Sequence, residues 1–112
     1  TRKAGRLDSD DGQASASEGS SGLAGLMALE REGYRTRTIE AVEALEDVLA
    51  SRLQLDGWAS VRATAHRLRG SGTSYGFTAV TDAAGALEEA ASGLDLDACR
   101  THVAALRSAL AT

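Results

Sequence analysis

His66 has the surroundings best suited to chemistry in this chain of 112 residues. Residues three, four and seven apart share one side of an α-helix. Four neighbours of His66 meet that rule if this stretch is helical: Arg62, Arg69, Gly70 and Thr73. An imidazole can act as a nucleophile near neutral pH, and arginine side chains neutralise anions. The spacing therefore predicts an exposed, nucleophilic histidine beside positive charge.

Two glycines follow His66 within the same predicted helix. Each interior glycine costs a helix about 1 kcal/mol relative to alanine, so a compensating advantage is expected. Gly72 falls on the apolar stripe, where it could allow close contact between helices. Gly70 falls on the outer face beside His66, where nothing internal requires a small residue. We interpret Gly70 as leaving room for another protein surface to reach the imidazole.

The elements that must position this face are read from the apolar pattern. From Leu23 onward, apolar residues recur at steps of three and four, which is typical of amphipathic helices. The main stripes run from Ile39 to Leu53, Trp58 to Tyr75, Phe77 to Ala91 and Leu96 to Leu110. Connections this short require antiparallel neighbours. The pattern predicts an all-α fold, an antiparallel up-and-down four-helix bundle with an additional short N-terminal helix or turn.

Turn residues mark the predicted boundaries. Asp56-Gly57 precedes the His66 helix, with Asp56 as a candidate N-cap, while Gly76 and Ser92-Gly93 mark later stops. The sequence leaves open whether Gly33 breaks the first helical segment into two helices or only bends one helix. Residues 1–22 are dominated by Gly, Ser, Asp and Ala and predict a flexible linker or tail, so that the bundle occupies residues 23–112.

The predicted hairpin brings a carboxylate to His66. If the turn is centred near Phe77, then His66 lies eleven residues before it and Glu88 eleven after it, at the same height on adjacent helices. A carboxylate there could accept a hydrogen bond from imidazole Nδ1–H and leave Nε2 nucleophilic. Arg69, helped by Arg62, could then neutralise an incoming phosphoryl group.

Composition excludes several other classes of protein. The net charge of −4 and the pI of about 5.1 argue against nucleic-acid binding. No apolar run reaches the ~18 residues of a membrane span, and no secretory signal is visible, so we expect a cytoplasmic domain. Cys99 lies on the last apolar stripe and is interpreted as a buried hydrophobe. No His, Cys and carboxylate cluster predicts a metal site, and no cofactor is expected.

The residues from Ala65 to Gly72, Ala-His-Arg-Leu-Arg-Gly-Ser-Gly, resemble the signature of histidine phosphotransfer (HPt) domains. In that signature an exposed His is followed by Leu two, Lys or Arg three and Gly four residues later. The similarity extends from about Met27 to Leu110, and Glu88 occupies the place of the Glu of chemotaxis-kinase phosphotransfer domains. Arg for the usual Lys is a mild departure. A second basic residue on the facing helix, present in some members, is not evident, with Gly85 and Ser92 at the candidate positions.

The resemblance implies a phosphocarrier domain of two-component signalling without its own kinase site. It implies phosphorylation of His66 on Nε2, charge neutralisation by Arg69, and docking space at Gly70. The implied partners are receiver domains, which bring their own Mg²⁺, and a histidine kinase, with the domain itself a monomer. His102, without such neighbours, is interpreted as structural or surface.

Three alternative interpretations fit parts of the same sequence. An exposed histidine is ordinarily a plain surface residue, and Arg69 and Glu88 would ordinarily be solvated charges, but their co-location on one face favours a site. A sensor-kinase dimerisation helix usually has an acidic residue directly after its histidine and a nearby proline; here Arg67 follows and proline is absent. The remaining alternative is a degenerate HPt-like bundle that acts only as a protein-binding adaptor.

Overall fold

The computed structural model describes the backbone of residues 14–111 and the side chains of residues 22–111. Over this range the chain forms four α-helices. They are α1 (Ala14–Ala50), α2 (Leu55–Ser71), α3 (Thr78–Ser92) and α4 (Leu96–Leu110), with a 3-10 turn at Thr73–Tyr75 between α2 and α3. The predicted all-α bundle is confirmed. The chain divides into two compact units, residues 1–32 and 33–112.

In the first unit, residues 14–32 belong to α1. The segment predicted as an additional N-terminal helix or turn is the beginning of this long helix, which continues through Gly33. A single interior glycine costs only about 1 kcal/mol, which is too little to end a helix that is otherwise stabilised. The prediction of a linker at residues 1–22 concerns mostly residues outside the described part of the chain. Only 14–22 of them are described, and their backbone is helical.

The second unit is the bundle, and its core follows the predicted stripes. Each helix contributes a row of nearly inaccessible aliphatic side chains, such as Leu45, Val61, Leu87 and Leu106. Burial of such side chains is the main favourable contribution to the folding free energy of a small domain. Cys99 is part of this core as predicted, and burial, with a smaller effect of the Asp95 carboxylate, raises the pKa of its thiol.

The connection between α2 and α3 is pinned against α1 by aromatic side chains. Tyr34 of α1 stacks on Tyr75 with ring centroids 4.5 Å apart, and on Phe77 at 5.7 Å. The Tyr34 hydroxyl also lies 2.9 Å from the Ser71 hydroxyl at the end of α2. Offset aromatic contacts of this kind stabilise beyond the area that they bury. The turn that sets the register of the α2–α3 hairpin is therefore fixed from a third helix.

Local chemistry explains where the helices begin and end. Gly76 adopts the left-handed conformation (φ 84°) that glycine tolerates best, which ends the 3-10 turn as the sequence predicts. The N-cap prediction at Asp56 is wrong, because α2 begins at Leu55 with Gln54 at the N-cap. Asp56 instead lies in the first turn of α2, where its charge complements the helix dipole.

Candidate functional site

The imidazole of His66 is exposed on a helix whose opposite side is buried. Its neighbour Ala65 is fully buried in the core, whereas 65% of the His66 side chain is accessible. A buried residue directly before an exposed one fixes the direction in which the exposed side chain leaves the helix. The bundle thus presents His66 outward on a rigid element.

Glu88 of α3 meets this imidazole. His66 Nδ1 lies 2.9 Å from Glu88 Oε2, which is the contact that the hairpin arithmetic predicts. An ionised carboxylate can only accept a hydrogen bond, so Nδ1 carries the hydrogen and donates it. In a neutral imidazole the lone pair then belongs to Nε2. The contact therefore selects the tautomer in which Nε2 is the nucleophile.

Arg69 joins the same pair from the next turn of α2. Its Nη1 lies 3.1 Å from Glu88 Oε1, and its Nη2 lies 3.3 Å from His66 Nδ1. Because Nδ1 already donates to Glu88, it cannot also accept from the guanidinium, and the ion pair with Glu88 is the attractive interaction of Arg69 here. Oε1 is buried and has no well-aligned hydrogen bond among the described residues. The Arg69 charge compensates this oxygen.

The two glycines after Arg69 differ in their surroundings. A Cβ on Gly70 would have no neighbour within 4 Å, so Gly70 borders open space next to the imidazole. A Cβ on Gly72 would lie 2.6 Å from Thr81 Oγ1 and 2.9 Å from the Phe77 carbonyl oxygen. Gly72 is therefore required where α2 approaches the beginning of α3, as its place on the stripe predicts. Packing gives no such reason for Gly70.

Arg62 and Thr73, the other two predicted members of the face, have different positions. Arg62 is exposed on α2, one turn before His66. Thr73 lies beyond the end of α2, because the chain has already entered the 3-10 turn. Its amide and hydroxyl both donate to Thr81 Oγ1, at 2.8 and 3.0 Å. Helical spacing predicts Thr73 beside His66; its two hydrogen bonds join it to Thr81 of α3, and its part in the His66 face stays a prediction.

Sequence reasoning missed the contact between Arg69 and Gly85. A Cβ on Gly85 of α3 would lie 3.4 Å from Arg69 Cδ and 3.8 Å from Cγ, so the stem of Arg69 crosses α3 at this residue. A signal was available, since Gly85 precedes Glu88 by three residues just as Arg69 follows His66 by three. The ion pair of Arg69 with Glu88 was also not anticipated.

Metal binding and membrane insertion have no support in the described residues. Within residues 22–111, no group of three or more His, Cys, Asp and Glu side chains is arranged to hold a metal ion. No helix in the described part of the chain has the length and apolar character that crossing a bilayer requires.

Comparison with known proteins gives one match. The model of the Hpt domain family matches residues 33–112, which is the second compact unit. No curated protein and no solved structure matches the chain. Because the family match covers well over half of the sequence and coincides with the bundle that carries His66, the chain belongs to the Hpt domain family, whose members have a phosphotransfer role in two-component signalling.

Proposed function

We propose that His66 is the phosphoacceptor of this domain and relays a phosphoryl group between receiver-domain aspartates, or from a histidine kinase to a receiver. The observation that carries the proposal is the exposed imidazole whose Nδ1 is held 2.9 Å from Glu88, on a face left open at Gly70. A histidine oriented by a carboxylate, with its other nitrogen directed to solvent, is the arrangement that nucleophilic attack requires.

The transfer step needs no separate base. Nε2 of neutral His66 attacks the phosphorus of a receiver's phosphoaspartate, a nitrogen–phosphorus bond forms, and the bond from phosphorus to the aspartate oxygen breaks. The aspartate leaves as a carboxylate, and the imidazole becomes a phosphorylated imidazolium that retains the hydrogen on Nδ1. Glu88, which accepts that hydrogen, stabilises the positive charge that develops on the ring. Transfer to a second receiver is the reverse reaction.

Arg69 contributes positive charge at the same place. Its guanidinium lies within 3.3 Å of the imidazole and faces the carboxylate, so it is close enough to turn toward phosphoryl oxygens. Positioning and charge neutralisation are the main contributions of a protein to phosphoryl transfer. Arg62, one turn earlier on the exposed side of α2, adds a second cation for docking. The Mg²⁺ ion of the reaction belongs to the receiver.

The proposed setting is the cytoplasm, where receivers and histidine kinases act, with the domain functioning as a monomer and without a cofactor of its own. An adaptor that retains the bundle but transfers no phosphoryl group is the competing function. The retention of His66, Arg69 and Gly70 on one face favours transfer, because an adaptor would not need all three.

The experiment is phosphoryl transfer from several phosphorylated receivers to the wild-type domain, to His66→Gln and to His102→Gln. His102 is the matched control, since it is the only other histidine and lies on α4. We expect label that is acid-labile and base-stable on the wild type and on His102→Gln, and none on His66→Gln. A folded wild-type domain that takes no label from any receiver would favour the adaptor. Label that persists in His66→Gln would assign the phosphoacceptor elsewhere.

A further inference from the structure

The guanidinium of Arg69 pairs with Glu88 while it lies beside the His66 ring, and this depends on the path of the Arg69 stem. Nη1 lies 3.1 Å from Glu88 Oε1 and Nη2 lies 3.3 Å from His66 Nδ1, so the guanidinium is close to both members of the pair. A guanidinium presents several nitrogens in a fixed fork, whereas a lysine ammonium is a single point charge. The ion pair with Glu88 beside the imidazole therefore depends on where the stem of Arg69 enters the site.

That stem lies on α3 at Gly85. The position that a Cβ would take at Gly85 is 3.4 Å from Arg69 Cδ, which is ordinary van der Waals contact. A methyl group would just fit there, but any larger side chain would occupy the space of the Arg69 stem. Gly85 stands at the same height as Arg69 on the facing helix. A glycine inside a helix lowers the stability of that helix relative to alanine, and no other contact at Gly85 among the described residues accounts for this loss.

We propose that Gly85 is a positioning residue for Arg69. The absence of a side chain at this point of α3 lets the Arg69 stem lie flat across the α2–α3 interface, so that a single guanidinium holds Glu88 and remains beside the imidazole. The inference rests on the proposed function for its effect on phosphoryl transfer, but the position of Arg69 can be measured without transfer.

The test uses four variants of the domain: Gly85→Leu, Gly85→Ala, Arg69→Ala and the double variant Arg69→Ala/Gly85→Leu. Gly85→Leu should lower the transfer rate roughly tenfold, as Arg69→Ala should, because each removes a charge-assisted contact from the site. In the Arg69→Ala background, Gly85→Leu should change the rate by less than about twofold, since residues that act through one another are not additive. Gly85→Ala should transfer at the wild-type rate.

Controls separate positioning from loss of fold. Gly85→Ala should melt a few degrees above the wild type, because alanine favours the helix and its methyl group fits. Ala79→Leu adds the same bulk at an exposed position of α3 that borders the groove toward α4, and should transfer at the wild-type rate. Circular dichroism establishes that each variant is helical before its rate is compared.

NMR of the unphosphorylated domain provides the readout that a purely structural role would not move. In the wild type and in Gly85→Ala, the Arg69 Nε–H resonance should be resolved and show contacts to the His66 ring. In Gly85→Leu it should move to the position of a solvated arginine while the backbone spectrum of α2 stays in place. If no receiver labels the wild type, the proposed function fails and these spectra still decide whether Gly85 positions Arg69.

Three results would overturn the inference. The first is a Gly85→Leu domain that transfers at the wild-type rate. The second is a further fall in transfer rate of roughly tenfold when Gly85→Leu is added to Arg69→Ala, which would mean that residue 85 acts directly on docking. The third is an Arg69 resonance unchanged by Gly85→Leu.

Discussion

Two arginine–glutamate pairs of the bundle, each joining two helices, differ in geometry. Between α1 and α4, Arg107 binds Glu46 through two hydrogen bonds, from Nε to Oε2 at 2.9 Å and from Nη2 to Oε1 at 2.8 Å. Between α2 and α3, Arg69 has one ion-pair contact with Glu88, at 3.1 Å. The two arginines are equally exposed, at 49% of the side chain, so solvent access to the cation does not explain the difference.

The difference lies in what else the carboxylate contacts. Both carboxylate oxygens of Glu46 accept a hydrogen bond from Arg107, which makes a bidentate pair. One oxygen of Glu88 is taken by the His66 imidazole, and the other is left to Arg69 without an aligned hydrogen bond. The same two residue types thus form a bidentate pair between α1 and α4, the structural tie of Arg107 and Glu46. Between α2 and α3 they form a three-membered arrangement with His66.

A bulky side chain at Gly70 should have the largest effect on phosphoryl transfer. Gly70→Trp should lower phosphoryl transfer by about a hundredfold or more, because a ring in the space beside His66 keeps a receiver from the imidazole. Transfer kinetics from a phosphorylated receiver measure this, with helix content followed by circular dichroism. Ala104→Trp is the matched control, since Ala104 is exposed beside the Arg107–Glu46 tie. Normal transfer by folded Gly70→Trp would remove the docking argument.

A methyl group at Gly72, where α2 approaches the beginning of α3, should lower stability rather than slow phosphoryl transfer. Gly72→Ala should lower the free energy of unfolding by about 2 kcal/mol, because its Cβ would lie 2.9 Å from the backbone at Phe77 and Thr81. Urea unfolding measures the loss. Gly70→Ala, two residues away in open space, should leave stability unchanged or raise it by up to about 1 kcal/mol. Equal effects of the two substitutions would contradict the close approach at Gly72.

Removing each glutamate in turn compares the two pairs directly. Glu88→Ala should slow transfer by about tenfold without abolishing it, because the imidazole loses the acceptor that selects its tautomer while the side chain remains exposed. Glu46→Ala should transfer at the wild-type rate. The same receiver assay measures both variants. If Glu46→Ala slowed transfer as much as Glu88→Ala did, the division between a structural tie and a functional pair would be wrong.

The smallest expected effect is the pH dependence of the structural tie. The hydrogen bond from Arg107 lowers the pKa of Glu46 below its ordinary value of 4.5. A lowered pKa means that the stabilisation is present above the ordinary pKa and is lost as the pH falls through the lowered value. Glu46→Gln should therefore melt about 1–2 °C below the wild type at pH 7 and approach it at acidic pH, as expected for an exposed pair. A difference that grows on acidification would contradict the sign.

Much of the fold and the centre of the site could be predicted from the sequence. The apolar stripes identify the bundle, since burial of one helix face is what the pattern encodes. The short link around Phe77 leaves one hairpin register, so counting residues brings Glu88 to His66. Predictions of this kind succeed because they depend on the spacing within helices and on the length of one link.

The details that the sequence left open or did not supply depend on packing and on contacts between elements. The end of α2 before Thr73 and the hydrogen bonds of Thr73 to Thr81, eight residues later, do not follow from helical spacing. The stem of Arg69 lies against Gly85 on another helix, a contact that spacing within α2 does not predict. The helix through Gly33 continues although glycine is a poor helix former, because local propensity is a weak determinant beside the rest of a long helix. None of these is encoded by residues adjacent in the chain.

The outward placement of a single imidazole has a kinetic consequence. Under the proposed function, donor and acceptor receivers must both reach Nε2 of His66 over the same open face at Gly70. Two receivers cannot occupy that face together, so the first must dissociate before the second binds. Steady-state relay between two receivers should therefore follow ping-pong kinetics, with parallel lines in double-reciprocal plots, and an excess of either receiver should inhibit by occupying the domain in the wrong phosphorylation state.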